Sequence, residues 1–130
     1  MEYGVRLWIP IKPMGAPRPR VTKNGTYNDP KYTAYKYAIT LTAKSKKPTI
    51  IEGPVFMKIE FFFDIPQSWS KSKRESAKWH TSKPDADNLI KGVKDALNGI
   101  VYKDDAQVCF VQARKQYSQE FGIMVEIEPA

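Results

Sequence analysis

The chain is poor in the residues that build disulfides and soft-metal sites: among 130 residues there is one cysteine, Cys109, and one histidine, His80. A lone cysteine excludes an internal disulfide, and one thiol plus one imidazole are too few donors for a zinc centre. Cys109 sits in the apolar run QVCFV and is expected as a buried structural thiol. His80 is expected to orient an anion or pack beside a site rather than to act as acid or base. No apolar run reaches the roughly 20 residues of a membrane span. The opening MEYGVRLWIP lacks the charged start and long apolar segment of a secretory leader, so a cytoplasmic protein is expected. Internal repeats and low-complexity tracts are also absent, and the length suits one domain, 1–130.

Acidic residues are the scarcer charge, 14 against 21 Lys and Arg, which leaves a net charge of +7. The imbalance is segregated. From Lys12 to Lys47 nine basic residues face a single acid, Asp29, a distribution suited to a polyanion whose counterions are released on binding.

The hydrophobic pattern gives the order of elements. Val5, Leu7, Ile9 and Ile11 alternate as in a half-buried strand, with Pro10 marking an edge strand or its end. PMGAPRPRVTKNGTYNDP, with its Asn24-Gly25 turn signal, reads as a loop or short hairpin. Asp29 and Pro30 read as N-cap and first residue of a helix bearing Tyr32, Tyr35, Ile39 and Thr42 on one face. Val55, Met57, Ile59, Phe61 and Phe63 mark a strand, with Phe56 and Phe62 on its other side, expected to lie centrally in a sheet. SKSKRESAKW suits a short helix. Ala86, Leu89 or Ile90, Val93 and Leu97 then recur at helical spacing from a start at or just after Asp85 to a stop at Asn98-Gly99. Two closing strands, QVCFVQARKQYS and EFGIMVEIEP, look like a hairpin turning near Ser118 and Gln119, the second burying Phe121, Ile123, Val125 and Ile127. The expected class is α+β: one small domain with a mixed or antiparallel sheet covered by two main helices.

Against the basic background, carboxylates cluster in KPDADNLIKGVKDALNG and YKDDAQV. Like charges brought together need a cation, solvent or a use. Asp85 and Asp87 at a helix start would cap free N–H groups and suit the helix dipole, for roughly 0.5–2 kcal/mol per cap, although one cap suffices. Asp104 and Asp105 suit a solvated turn. If the helix start and the following strand start lie side by side at one end of the sheet, Asp85, Asp87 and Asp105 converge as a hard oxygen site fit for Mg²⁺ or Mn²⁺. The spacing and glycine of an EF-hand are absent. Lys91, four residues after Asp87, can reach back toward the carboxylates, either as a surface ion pair or to neutralise charge on a phosphate. Asp95 is expected in a structural or solvent-facing role.

These motifs carry a resemblance. DxDNLxK and DDAQ, in order and separated by the DAL–G helix over Lys83 to Val108, resemble the signature of the RusA family of Holliday-junction resolvases; PRPRV, Y..P and WHTSKPD upstream are similar too. The resemblance implies an α+β homodimer with one active site per subunit. It implies divalent-metal binding by Asp85, Asp87 and Asp105, with Lys91 required for catalysis. The activity implied is Mg²⁺-dependent phosphodiester cleavage, Mn²⁺ able to substitute, as paired nicks in four-way DNA junctions during recombination and repair. Arg18, Arg20 and Lys23 in the Pro-rich loop, and Lys71, Lys73, Arg74, Lys78 and Lys83 in the second basic stretch, are candidate phosphate contacts. Trp69, Trp79, Tyr27 and Tyr37 are candidates for stacking on exposed bases, with core packing the alternative. Two other readings stay open: a catalytically silent branched-DNA-binding protein, and a packaging protein indifferent to branching.

Overall fold

The computed structural model describes residues 4–17, 20–22, 25–27 and 29–130, with 20–22 and 25–27 described as backbone alone. The alternating start forms strand β1 (Val5–Ile9), which ends before Pro10 and buries Leu7 and Ile9. Strands β2 (Arg20–Thr22) and β3 (Gly25–Tyr27) pair antiparallel, as the hairpin reading expects. The Asn24 half of the turn signal lies outside the described residues.

Helix α1 (Pro30–Ser45) starts where the cap residues require: the Asp29 carboxylate accepts from the Lys31 N–H at 2.8 Å, and Pro30 supplies a fixed φ. It buries Tyr35, Ile39 and Ala43. The expected Thr42 is only half-buried, because the inward stripe follows the i, i+4 spacing to Ala43.

Strand β4 (Val55–Asp64) is central. It buries Val55, Met57, Ile59 and Phe61, each at most 1% exposed, and pairs on both edges. After a short helix α2 (Lys71–Ser76), capped by the Ser70 hydroxyl, helix α3 (Ala86–Leu97) buries Leu89, Gly92, Val93, Ala96 and Leu97. Ala86 stays exposed in the first turn. The Thr40 hydroxyl on α1 donates to the Ala96 carbonyl at 2.6 Å, tying the two main helices together. A single turn of 3₁₀ helix at Asp105–Gln107 leads into β5 (Val108–Ser118), and β6 (Gly122–Pro129) closes the chain.

The described sheet runs β1-β6-β4-β5, a mixed sheet as expected. The closing hairpin is not formed: β4 lies between β5 and β6, parallel to β5 and antiparallel to β6. A strand as long and apolar as β4 buries more by gaining a neighbour on each edge than β5 and β6 would by pairing with each other. Two local expectations change with it. Cys109 is exposed, since β5 is an edge strand and its start carries a register shift against Val55 and Phe56. Phe121, in the link that steps over the end of β4, is 37% exposed rather than core.

Candidate functional site

Asp85 occupies the N-cap of α3 with extended backbone angles, and its carbonyl accepts the first helical bond, from Leu89 N–H at 3.1 Å. Its carboxylate makes no capping hydrogen bond. Elsewhere this chain uses aspartate as a cap without difficulty: Asp29 bonds the Lys31 amide, and Asp104 bonds the Ala106 amide at 2.9 Å. Asp87, exposed in the first turn of α3, likewise has no hydrogen bond or ion pair among the described residues. The partial positive charge of the helix N-terminus offsets part of the repulsion between the two. They therefore present unengaged oxygen donors at one end of α3.

The other acidic motif follows a turn at the opposite end of α3. Gly99, at φ +79°, takes the left-handed conformation that lets its N–H reach the Tyr102 carbonyl at 2.8 Å. Tyr102 is fully buried and donates its hydroxyl proton to the Lys94 carbonyl at 2.8 Å. Burial first, then the nearby carboxylates of Asp105 and Asp95, hold its pKa well above the ordinary phenol range. In DDAQ the two aspartates divide the work. Asp104 forms a reciprocal capping box with Gln107, while Asp105 is half-exposed and unpartnered among the described residues. Gln107 is the hub of the loop: its carbonyl oxygen accepts from Lys103 and Asp104 N–H, both at 2.9 Å, and its amide donates to Ile51 O at 2.8 Å and Gly53 O at 2.9 Å.

The side-by-side arrangement of helix start and strand start is not what the fold builds. The path from β4 through α3 to β5 is a parallel crossover, so the helix runs back along the strands. Its C-terminal end meets the approach to β4 where Ile51 N–H bonds Val101 O at 2.8 Å. Over 12 residues α3 extends about 18 Å, with Asp85 at its start and Asp105 beside Tyr102 near its last turn. Accordingly, among the described residues no three His, Cys, Asp or Glu groups gather closely enough to hold one metal ion. Lys91 turns away from Asp87 and pairs with Asp95 at 3.0 Å. Asp95 takes the structural of its two expected roles, its side chain 29% exposed and ion-paired, and it also raises the Tyr32 pKa, behind the larger effect of burial. By donor chemistry Asp85, Asp87 and Asp105 suit a hard divalent cation, being ionisable oxygens that no described group engages.

Residues 10–128 match the family described as Endodeoxyribonuclease RusA. The chain belongs to the RusA endodeoxyribonuclease family. Among relatives of this RusA-family chain, a protein of Bacillus subtilis (strain 168), YqaN, is 41% identical over 127 residues, covering 89% of each chain. The crossover junction endodeoxyribonuclease rusA of Lactococcus phage r1t is 33% identical over 75 residues, covering 57% of this chain and 53% of the phage protein. Both acidic motifs fall within the RusA match.

The candidate phosphate contacts differ in their surroundings. Arg18 and Lys23 lie outside the described residues, as do the side chains of Arg20 and Tyr27. Arg74 is half-buried, and its guanidinium donates to Pro66 O at 2.8 Å, so it serves first as a tie between α2 and the end of β4. Lys71, Lys73, Lys78 and Lys83 are exposed. Lys73 stands 4.0 Å over the Trp69 ring and Lys78 5.2 Å from Trp79. Tyr37 and Trp79 are exposed, whereas Trp69 is half-buried against Tyr117. His80 packs as one of its two expectations held, flat on Phe63 at 3.7 Å and edge-on to Tyr117.

Sequence reasoning missed Tyr102 and Gln107, the groups that hold the second motif in shape, although both stand within YKDDAQV. It also missed Gly15. A Cβ there would lie 2.8 Å from Pro84 Cβ, and this close approach lets Ala16 N–H bond Asn88 O at 3.1 Å. Gly15 and Ala16 thus lie against Pro84 and Asn88 at the start of α3.

Proposed function

We propose that this protein is a Holliday-junction resolvase that cuts DNA phosphodiesters hydrolytically, as paired nicks in four-way junctions, with Mg²⁺ held by Asp85, Asp87 and Asp105 and Mn²⁺ able to substitute. The observation that carries the reading is the uncapped Asp85 carboxylate at the N-cap of α3, beside an equally unengaged Asp87, in a chain whose Asp29 and Asp104 both act as side-chain caps. Membership of the RusA family and the printed name of the phage relative support the substrate.

A homodimer accounts for the separation of the motifs. A twofold axis turns opposite ends of an element toward each other, so two copies meeting along α3 bring Asp105 of one toward Asp85 and Asp87 of the other. Each dimer then has two sites, matching the approximate twofold symmetry of a four-way junction. A divalent ion at such a site supplies Lewis acidity toward the scissile phosphate and its attacking water. The protein's own groups do the rest. Before the cation binds, the carboxylates repel phosphate, and capture falls to the basic surface. Lys91 lies on the same face of α3 as Asp87 and is paired with Asp95; its role in this reading is to offset charge developing on the phosphate. Lys71, Lys73, Lys78 and Lys83, with Arg18, Arg20 and Lys23 of the Pro-rich sequence, hold the flanking backbone; Arg74 adds charge while anchoring α2. The site of action is the cytoplasm, where the DNA is. A cruciform-bearing supercoiled plasmid tests this: Mg²⁺ should yield a linear product from paired nicks at the cruciform, and EDTA should prevent it. Cleavage unaffected by EDTA, or equal on a plasmid without the cruciform, would overturn the reading.

A further inference from the structure

Residues 77–80 form an outrigger on the free edge of β5. His80 N–H bonds Lys115 O at 3.0 Å, Tyr117 N–H bonds Lys78 O at 2.8 Å, and Trp79 pairs with Gln116 in an antiparallel bridge. Alternation along such a segment sends neighbouring side chains to opposite faces. His80 turns inward, where Phe63, Tyr117 and then Trp69 continue the aromatic contacts. Trp79 turns outward and makes none of them. Its ring is 51% exposed, although the backbone beneath it is fixed on both sides. Exposing a tryptophan on a rigid support leaves a large apolar, π-bearing surface that loses little entropy on binding.

The surroundings point to the class of ligand. Between Lys71 and Lys83 there are five basic residues and one acid, Glu75, and the Lys78 ammonium stands 5.2 Å from the Trp79 ring centroid. An aromatic face flanked by cations is how proteins hold unpaired nucleotides: the ring stacks on a base and the cations take the adjacent phosphates. Six residues further on the chain reaches Asp85, so the Cα atoms of the two residues lie within about 20 Å of each other by chain reach alone.

We propose that Trp79 is a stacking platform for an unpaired base of branched DNA, with Lys78 on a flanking phosphate, so that it discriminates open branch points from linear duplex. The inference rests on branched DNA being the substrate. Duplex bases are already stacked on one another and have no face to offer, which gives the discrimination its physical basis.

The test is binding by the full-length protein in EDTA, where cleavage does not intervene, to a short labelled oligothymidylate, a four-way junction and a linear duplex. Trp79→Ala should weaken the first two on the order of tenfold and leave duplex binding within twofold. Trp79→Phe should recover most of the loss, and all three proteins should unfold at the same temperature. Oligothymidylate should also quench tryptophan emission in the wild type and much less in Trp79→Phe. Unchanged affinities, which would leave the ring to a protein partner, or an equal loss on duplex, would overturn the proposal. If the wild type neither binds nor nicks junctions, the resolvase reading fails, and oligothymidylate quenching still decides whether Trp79 stacks on bases.

Discussion

Adjacent aspartates in the DDAQ motif should give opposite phenotypes. Asp104 caps the 3₁₀ turn through Ala106 N–H at 2.9 Å and completes a reciprocal box with Gln107. Asp104→Ala removes that acceptor, a loss of about 1 kcal/mol within the usual range of roughly 0.5–2 kcal/mol for caps. For a domain of this size it corresponds to a fall in Tm of about 3–6 °C. Asp105 makes no hydrogen bond or ion pair among the described residues and stands near Tyr102, as Asp95 does. Asp105→Ala removes one of two negative charges there, and its Tm should be unchanged or slightly higher, as is common where a site is built for function at the expense of stability. Nicking should show the reverse order. Asp104→Ala should cut junctions at temperatures where it is folded, while Asp105→Ala and the isosteric Asp105→Asn should not. Differential scanning calorimetry beside a nicking assay at 25 °C reads both properties. If Asp105→Ala were the less stable variant and still cut DNA, the division of roles in this motif would be wrong.

Gln107→Glu should be more harmful than a typical surface change. It keeps the two accepted bonds but replaces both donations, to Ile51 O and Gly53 O, with carboxylate facing carbonyl; a loss of about 2–4 kcal/mol is expected, read from denaturant midpoints. Burial, then the Lys115 ammonium, holds the His80 pKa below its ordinary 6.5. The unfolded chain therefore takes up the proton first, so the contribution of His80 is complete above pH 6.5 and is lost as pH falls through its lower folded-state pKa. Below pH 6.5 stability should decline less steeply in His80→Gln than in the wild type, and parallel curves would contradict this. Mixing inactive Asp87→Asn and Asp105→Asn proteins under subunit exchange should restore one intact site per mixed dimer. Restored single nicks are expected, and no recovery despite demonstrated exchange would count against a site shared between copies.

The elements that local chemistry dictates were legible in the sequence. Asp29-Pro30 starts α1, the alternation from Val55 to Phe61 builds the central strand, and the 3.6-residue period after Pro84 builds α3. Strand partnership was less legible, because the polar link from Ser118 to Phe121 reads alike whether β5 and β6 touch or straddle a third strand. Only the long apolar β4, seeking neighbours on both edges, decides it. Cys109 follows the same logic, since apolar neighbours along the chain do not reveal a strand's exposed edge. For the site, the two acidic motifs stood out in the sequence, and Asp85, Asp87 and Asp105 make no side-chain hydrogen bond or ion pair among the described residues. Their arrangement depends on the direction of α3 relative to β5, a property of topology. The partner of Lys91 turned on the choice between Asp87 and Asp95, which both lie one helical turn away.

The most direct measurement of the central claim uses a synthetic four-way junction labelled on each strand in turn, incubated with wild-type protein or Asp87→Asn in Mg²⁺ and in EDTA. Symmetric nicks in opposing strands that require Mg²⁺ and vanish in Asp87→Asn, with junction binding retained, are the predicted result. Tight binding with no cut in either Mg²⁺ or Mn²⁺, over several junction sequences, would contradict it and leave a branched-DNA-binding protein without nuclease activity.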